Sequence, residues 1–335
     1  FSLNPPGGSV RSANDAPWNS AGCEERDLPR RLRELPNHIV SKKHMLTPRG
    51  TLLKEILCSR KVQSIEDVRT QLAFNTLCPD AKQFMASIEN GWRKYGRSLA
   101  DGISQEALRL DAMLRAWDFR AETDSTAMSV MFHFRRETKL PWFENDYVPT
   151  PREMVRYLRD LEHVTEKMKD YHGSISVPWG EIHAIPMMGR SIPMPGGTFD
   201  INSLILGYMG IEKHRYDGDY RDAIYGDSPK DINPAFLGKI PCRFGSSFIH
   251  AHVLDPDNPV SFAITPYGQI SRFNFPDSPH LSQQAKLISK KQWIRIPLTR
   301  EQVLARLCPW GNDPDHEHPA VTVLNVASPG EMKDR

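Results

Sequence analysis

Residues 150–168 have the sequence TPREMVRYLRDLEHVTEKM, which predicts a long capped helix. Thr150 at the N-cap, Pro151 at the first helical position and Glu153 three residues after the cap form a capping-box pattern. Apolar side chains then recur on one face, at Met154, Tyr157, Leu158, Leu161 and Met168. This stretch is therefore predicted to be one helix with a buried apolar face.

Upstream of this stretch the chain continues to show helical patterns. Thr47-Pro48-Arg49 and Ser64-Ile65-Glu66-Asp67 each predict a helix start. Apolar residues at helical spacing follow, first Ala81, Phe84, Met85, Ile88, Trp92 and Tyr95, then Leu110, Met113, Leu114 and Trp117. Residues 51–172 are thus predicted to be helical, with these methionines and aromatics forming a core.

The pattern changes after Gly173, where Pro- and Gly-rich loops alternate with short runs. In Ser247–Leu254, one face carries Ile249, Ala251 and Val253 and the other His250 and His252, as in a strand. Val260–Ile264 is a second predicted strand. The sequence predicts an α+β fold, with an irregular segment at 1–50, a helical part at 51–172, strands and loops at 173–310, and a polar tail at 311–335.

Composition is that of a folded, soluble protein: the 335 residues are 39% hydrophobic and 25% charged. A net charge of +2 gives no electrostatic case for nucleic acid or an anionic membrane as partner. No apolar run approaches the roughly 20 residues that span a bilayer. The chain starts without Met or a signal-peptide pattern, so we expect a processed product or a fragment.

Cysteines and other metal-binding side chains give weak signals. The five cysteines form no CxxC pair, which favours buried free thiols and leaves one disulfide open for an exported protein. His250 and His252 share a strand face without an evident third ligand. Asp217, Asp219 and Asp222 could bind calcium weakly, but hydration by solvent is the favoured interpretation. The charged residues at 313–318 are interpreted as a solvated loop. No metal or cofactor is expected in this chain.

Two classes of function remain open at this point: an interaction or structural domain, and an enzyme whose reactive groups lie in the loops. The sequence contains no GxSxG turn, P-loop, dinucleotide fingerprint or HExxH motif.

Several short motifs, taken in order, resemble the penicillin acylase family of N-terminal nucleophile hydrolases. They begin with Gly8–Trp18, which contains Asn14-Asp15, and with Leu46-Thr47-Pro48-Arg49. Weaker matches are 114–118 with Asp124-Ser125, and 179–183. The most specific runs from Tyr267-Gly268-Gln269 through Ser278-Pro279-His280 to Trp293. The resemblance extends to about Val303 and corresponds to the C-terminal part of the family's β chain.

The resemblance implies an αββα sandwich and an amidohydrolase mechanism. In that family an N-terminal Ser attacks the amide and its own α-amine acts as the base. Asn14 matches the oxyanion-hole Asn and Arg49 the active-site Arg, with Asp15 and Trp18 supporting the loop. From the residues alone, capping a turn through its side chain is the favoured role of Asn14, and Arg49 could be an exposed first-turn residue.

The resemblance also implies partners. The nucleophilic Ser is expected on an N-terminal β segment, together with an α chain, so this chain alone is expected to be inactive. A small acylated amide is the implied substrate, a structural calcium ion elsewhere in the assembly is allowed, and the implied location is periplasmic or secreted. Departures at Gln283 and Asn75, each where Asp is frequent, leave open a degenerate homologue that binds without cleaving. His280, Trp293 and Trp179-Gly180 are interpreted as structural.

Overall fold

The computed structural model describes residues 48–59, 62–140, 147–187, 190–197, 240–241, 248–265 and 283–307. The first part of the described chain is helical. It contains α1 (Pro48–Cys58), α2 (Ile65–Asp67, continued as a π-helix over Val68–Ala73), α3 (Pro79–Tyr95, followed by a 3₁₀ helix over Gly96–Ala100), α4 (Gln105–Arg115), α5 (Thr126–Glu137) and α6 (Pro151–His172).

The helices begin where polar side chains cap them. Ser64 and Thr150 form the two predicted capping boxes, with Asp67 and Glu153 as the returning acids. Ser125 accepts a hydrogen bond from the backbone of Met128 and caps α5. α6 ends at Gly173, whose φ of 71° is left-handed and therefore suits glycine.

The predicted stripe of α6 forms the centre of the main core. Met154, Tyr157, Leu158, Leu161 and Met168 are all fully buried. α6 packs against α4 and α5. The rings of Phe84, Phe134 and Tyr157 contact one another. The centroid of Phe84 lies 5.6 Å from that of Phe134 and 6.1 Å from that of Tyr157, and the last two are 5.5 Å apart. These separations are typical of favourable aromatic pairs. The interpretation of these residues as core is confirmed.

Short strands follow the helical part. The elements are α7 (Trp179–Ile182), β1 (His183–Met187), β2 (Arg190–Pro193), β3 (Ile240–Pro241), β4 (Ile249–Val253), β5 (Val260–Ile264), α8 (Gln283–Ser289), β6 (Ile294–Ile296) and α9 (Arg300–Leu307). Among the described residues, one sheet has the order β2-β1-β3, antiparallel between β1 and β2 and parallel between β1 and β3, and another has the order β4-β5-β6. The α+β class is confirmed.

A second, smaller core joins the π-helical turn after α2 to the strands and α8. Its buried members include Phe74, Ile185, Ile192 and Ile288, with Trp293 packed against them. By compactness the chain divides into a larger unit, up to Ala251 and over Phe262–Ile294, and a smaller unit, His252–Ser261 and the chain from Arg295. Both cores belong to the larger unit.

The expectation that the cysteines are buried free thiols holds for one described cysteine and fails for another. Cys78 is a buried free thiol, as predicted. Cys58, the last residue of α1, is disulfide-bonded, with its partner outside the described residues. The preference for free thiols is therefore wrong at Cys58, because sequence spacing does not report which cysteines meet in space. None of the helices in the described residues is long and apolar enough to cross a membrane.

Candidate active-site region

The residues predicted to carry the chemistry lie near the start of the chain. Asn14, Asp15 and Trp18 fall outside the described residues. Arg49 is the second residue of α1, and its side chain also lies outside what the structure describes. The described residues therefore leave the roles of Asn14 and Arg49 as predictions.

The helix that carries Arg49 begins at Pro48, as expected from the Thr-Pro pattern. Gly50 and Leu52 are buried, and α1 packs against α3. The first turn contains no acidic residue. A cation at this end of a helix opposes the helix dipole.

Three segments that carry motif residues meet in the larger unit, and we call residues 74–78, 117–125 and 179–183 the motif junction. Backbone hydrogen bonds hold it together. The Ala121 N–H donates to the Thr76 carbonyl at 2.9 Å, and the Gly180 N–H donates to the Thr123 carbonyl at 2.7 Å. The Trp179 N–H donates to the Ser125 carbonyl at 3.1 Å. The motif residues in these segments thus form a common scaffold.

The corner at Trp179-Gly180 is tightly packed, as the sequence interpretation proposed. Trp179 is fully buried, and its indole Nε1 donates to the Gly196 carbonyl at 2.6 Å. Its ring stacks on the His183 imidazole with centroids 4.7 Å apart. A Cβ on Gly180 would lie 2.7 Å from the Pro193 Cβ and 3.0 Å from the Thr123 carbonyl oxygen. Only glycine fits there without movement of the neighbours.

The C-terminal motif reaches the same junction through Lys291 and Trp293. Glu122 accepts hydrogen bonds from Thr76 and from Lys291. Trp293 stacks on Phe262 at 5.0 Å and meets Phe74 edge-on at 5.9 Å. The role of Glu122 was not predicted from the sequence, because its partner Lys291 is 169 residues away along the chain. Trp293 has the structural role expected of it.

The contacts of the Asn75 side chain are local. Its amide donates to the Gln71 carbonyl at 2.8 Å, and its oxygen accepts from the Leu77 backbone N–H at 3.0 Å. Both bonds hold the turn that follows the π-helix. An uncharged amide can make the donor bond that a carboxylate could not.

Buried ionisable groups lie in the larger unit, and burial is the main cause of each pKa change. Burial lowers the pKa of His183 to about 4, although the bond from Nδ1 to the Met194 carbonyl at 2.9 Å opposes this. Burial, helped by His172 and Arg136, lowers the pKa of His133 to about 3. The Nε2 atoms of His133 and His172 are 2.9 Å apart, so one donates and the other accepts. Both His133 and His183 are neutral near pH 7.

His250 and His252 lie exposed on β4. Among the residues that the structure describes, no three His, Cys, Asp or Glu side chains come close enough to hold a metal ion.

Comparison with known proteins identifies the family. The chain matches the Penicillin amidase family over residues 1–305. Because the match covers most of its length, the chain belongs to the penicillin amidase family, and the resemblance drawn from the motifs is confirmed.

Two curated relatives are similar to part of the chain. Both are named acyl-homoserine lactone acylase PvdQ, one from Pseudomonas savastanoi pv. phaseolicola (strain 1448A / Race 6) and the other from Pseudomonas syringae pv. syringae (strain B728a). Each is 27% identical over 127 residues, which is 38% of this chain. The matched region spans 13% of the length of each relative.

Proposed function

We propose that this chain is part of an amidohydrolase that cleaves the linear amide bond of an N-acylated substrate through an acyl-enzyme on an N-terminal Ser. The observation that carries the proposal is the family match over residues 1–305, a span that includes Asn14 and Arg49. The names of the two relatives, both acylases, point to the same reaction class.

In the proposed mechanism the Ser hydroxyl attacks the amide carbonyl, and the neutral α-amine of the same residue takes the proton. An α-amine has a pKa near ~8, so a useful fraction is neutral at neutral pH. The tetrahedral intermediate carries an oxyanion. Asn14 donates a side-chain N–H to that oxygen, while Asp15 and Trp18 hold its loop.

Arg49 is proposed to lie beside the α-amine and to orient the substrate. A nearby cation disfavours protonation of the amine and so keeps the base in its active form. The placement of Arg49 in the first turn of α1, without an acid in that turn, supports a partner outside the helix.

The larger assembly is proposed to be an αββα sandwich in which this chain joins an N-terminal β segment, bearing the nucleophile, and an α chain. The family match over residues 1–305 supports this assignment. A disulfide at Cys58 supports a periplasmic or secreted location, because such bonds persist in oxidising compartments. A structural calcium ion, if the assembly holds one, is proposed to lie outside this chain.

The names of the two relatives suggest which substrates to assay first. Their name makes N-acyl-homoserine lactones the first substrates to assay, followed by β-lactam side-chain amides and lipopeptides. The second candidate function is a non-catalytic subunit, favoured by the departures at Gln283 and Asn75.

Co-expression of the chain with its upstream region tests the proposal. We expect amide hydrolysis by the assembly, no hydrolysis by the isolated chain, and a Ser at the N-terminus of one processed chain. N-terminal sequencing and release of the free acyl acid are the measurements. Absence of any N-terminal Ser, Thr or Cys, together with absent hydrolysis, would favour the non-catalytic subunit instead.

A further inference from the structure

Two histidines meet at the end of α6, and we call His133 and His172 the imidazole pair. His133 lies on α5 and is buried, whereas His172 is the last residue of α6 and is half-buried. Their Nε2 atoms are 2.9 Å apart, so one N–H lies between the two rings. Nδ1 of His133 is buried without a hydrogen-bond partner among the described residues, and the buried Ser129 hydroxyl one turn earlier on α5 does not bond to it.

This geometry determines where protons can lie in the imidazole pair. In the neutral pair, Nε2 of His133 donates to Nε2 of His172, because the reverse arrangement would put an N–H on the enclosed Nδ1 of His133. A buried N–H without an acceptor is costly. An extra proton on the bonded pair leaves one N–H between the rings, so both Nδ1 atoms must then carry hydrogen. Protonation in place therefore always creates the unpartnered N–H.

The charge on α5 also opposes protonation of the imidazole pair. Burial lowers the pKa of both His133 and His172, and the Arg136 cation lowers it further. The guanidinium of Arg136 lies 5.3 Å from the centre of the Tyr171 ring, and its Nε lies 3.2 Å from the carboxylate of Glu137. The acid on this side is thus already matched by a cation.

On the side of α7, the described neighbours of the pair are rings. The centroid of Phe132 lies 5.4 Å from that of His133 and 5.4 Å from that of Trp179. Trp179 stacks in turn on His183, which burial keeps neutral near pH 7. These neighbours offer no anion to an imidazolium that is held in place.

The last turn of α6 gives a protonated His172 a favourable alternative. Gly173 ends the helix directly after it, with a φ of 71°. A His172 ring that turns away from His133 stays beside the last carbonyls of α6, where the helix dipole favours a cation. The other cation of this turn, Lys169, is already paired with Glu106 at 2.6 Å. Release into solvent therefore stabilises an imidazolium that the bonded pair disfavours.

We propose that the imidazole pair is an acid-released latch, which fastens the end of α6 to α5 when neutral and opens when His172 takes up a proton. Opening loosens the last turn of α6 and residues 173–178, which lead to the Trp179-Gly180 corner of the motif junction. A released histidine binds protons with its ordinary affinity, so the open fraction rises as the pH falls below about 6.5. The proposal is independent of the proposed amide hydrolysis and of Asn14.

Hydrogen–deuterium exchange of the complete assembly, measured for each peptide by mass spectrometry, tests the proposal. Exchange is compared at pH 7 and pH 5, with labelling times scaled for the slower chemical exchange at pH 5. We expect the protection of peptides within 166–178 to fall by about 25-fold, which is how far proton uptake by a free imidazole shifts the opening equilibrium between these pH values. Peptides of α3 should keep their protection.

His172→Gln keeps an acceptor for the N–H of His133 but does not titrate, so its protection over 166–178 is expected to be equal at the two pH values. The exposed His163→Gln on the same helix is the matched control and should keep the wild-type loss. Melting curves at both pH values establish that each protein is folded. Unchanged protection of the wild type at pH 5 would overturn the proposal, and so would a loss that persists in His172→Gln or extends equally to α3.

A second measurement needs no variant. Exchange of the carbon-bound imidazole hydrogens in the wild-type assembly reports the titration of each histidine. We expect a midpoint below 6.5 for His172, because opening the pair opposes proton uptake. A midpoint at or above 6.5 would show that His172 is protonated in place, and would overturn the proposal as well.

Discussion

Gly180 lies where neighbouring atoms leave no room for a side chain. A methyl group there would meet the Pro193 Cβ at 2.7 Å and the Thr123 carbonyl at 3.0 Å. Gly180→Ala is therefore expected to lower the free energy of unfolding by about 1–3 kcal/mol. Chemical denaturation measures the change, with the exposed neighbour substitution Glu181→Ala as the control. A Gly180→Ala protein as stable as this control would show that the corner is loosely packed.

The buried histidines His133 and His183 are expected to make the free energy of unfolding depend on pH. The pKa of His133 is about 3 in the folded chain and about 6.5 when exposed on unfolding. Between these values the unfolded chain binds the extra proton, so the free energy of unfolding falls as the pH is lowered from 6.5. His183, with a folded pKa of about 4, adds to this loss. Each histidine contributes up to about 1.4 kcal/mol per pH unit.

His133→Gln is expected to make this pH dependence shallower. Urea unfolding of the wild type and the variant between pH 4.5 and 7 measures the difference in slope. The exposed His163→Gln is the matched control on α6. His163→Gln should keep the wild-type slope. If His133→Gln keeps it too, the neutral state assigned to His133 is wrong.

At the scale of elements, the capping box of α6 links local sequence to the core. Thr150 Oγ1 accepts from the Glu153 N–H at 3.3 Å, and Glu153 accepts in return from the Thr150 N–H at 2.7 Å. Thr150→Ala is expected to reduce stability by about 1 kcal/mol. Thr150→Ser keeps the hydroxyl and should be nearly neutral. Calorimetric melting distinguishes them, and equal melting temperatures would contradict the role of the cap.

The helices could be predicted from sequence because their signals are local. Ser64 and Thr150 mark helix starts within four residues, and the stripe from Met154 to Met168 shows its burial through spacing alone. The strand over Val260–Ile264 was also predicted, from a single apolar run.

Contacts between distant segments could not be predicted in the same way. Glu122 meets Lys291, and the His133 ring meets His172, without any pattern that pairs them in the sequence. The disulfide at Cys58 is a third example. For the candidate site, the motifs gave the family and nominated Asn14 and Arg49, whose side chains lie outside the described residues.

At the scale of the whole molecule, the disulfide at Cys58 is expected to stabilise the fold by restricting the unfolded chain. Such bonds typically contribute about 2–4 kcal/mol. A reductant should lower the melting temperature of the wild type and leave that of Cys58→Ser nearly unchanged. Alkylation of Cys58 in the non-reduced protein, detected by mass spectrometry, would contradict the bond.

The central claim is that this chain supplies the oxyanion donor to an N-terminal nucleophile located elsewhere. Turnover of the complete assembly with Asn14→Ala tests it most directly, with the exposed amide substitution Asn258→Ala as the matched control. We expect kcat to fall by about 10²–10³ with Asn14→Ala, at unchanged melting temperature, and to remain at the wild-type value with Asn258→Ala. Wild-type turnover by a folded Asn14→Ala assembly would remove Asn14 from the mechanism and contradict the account.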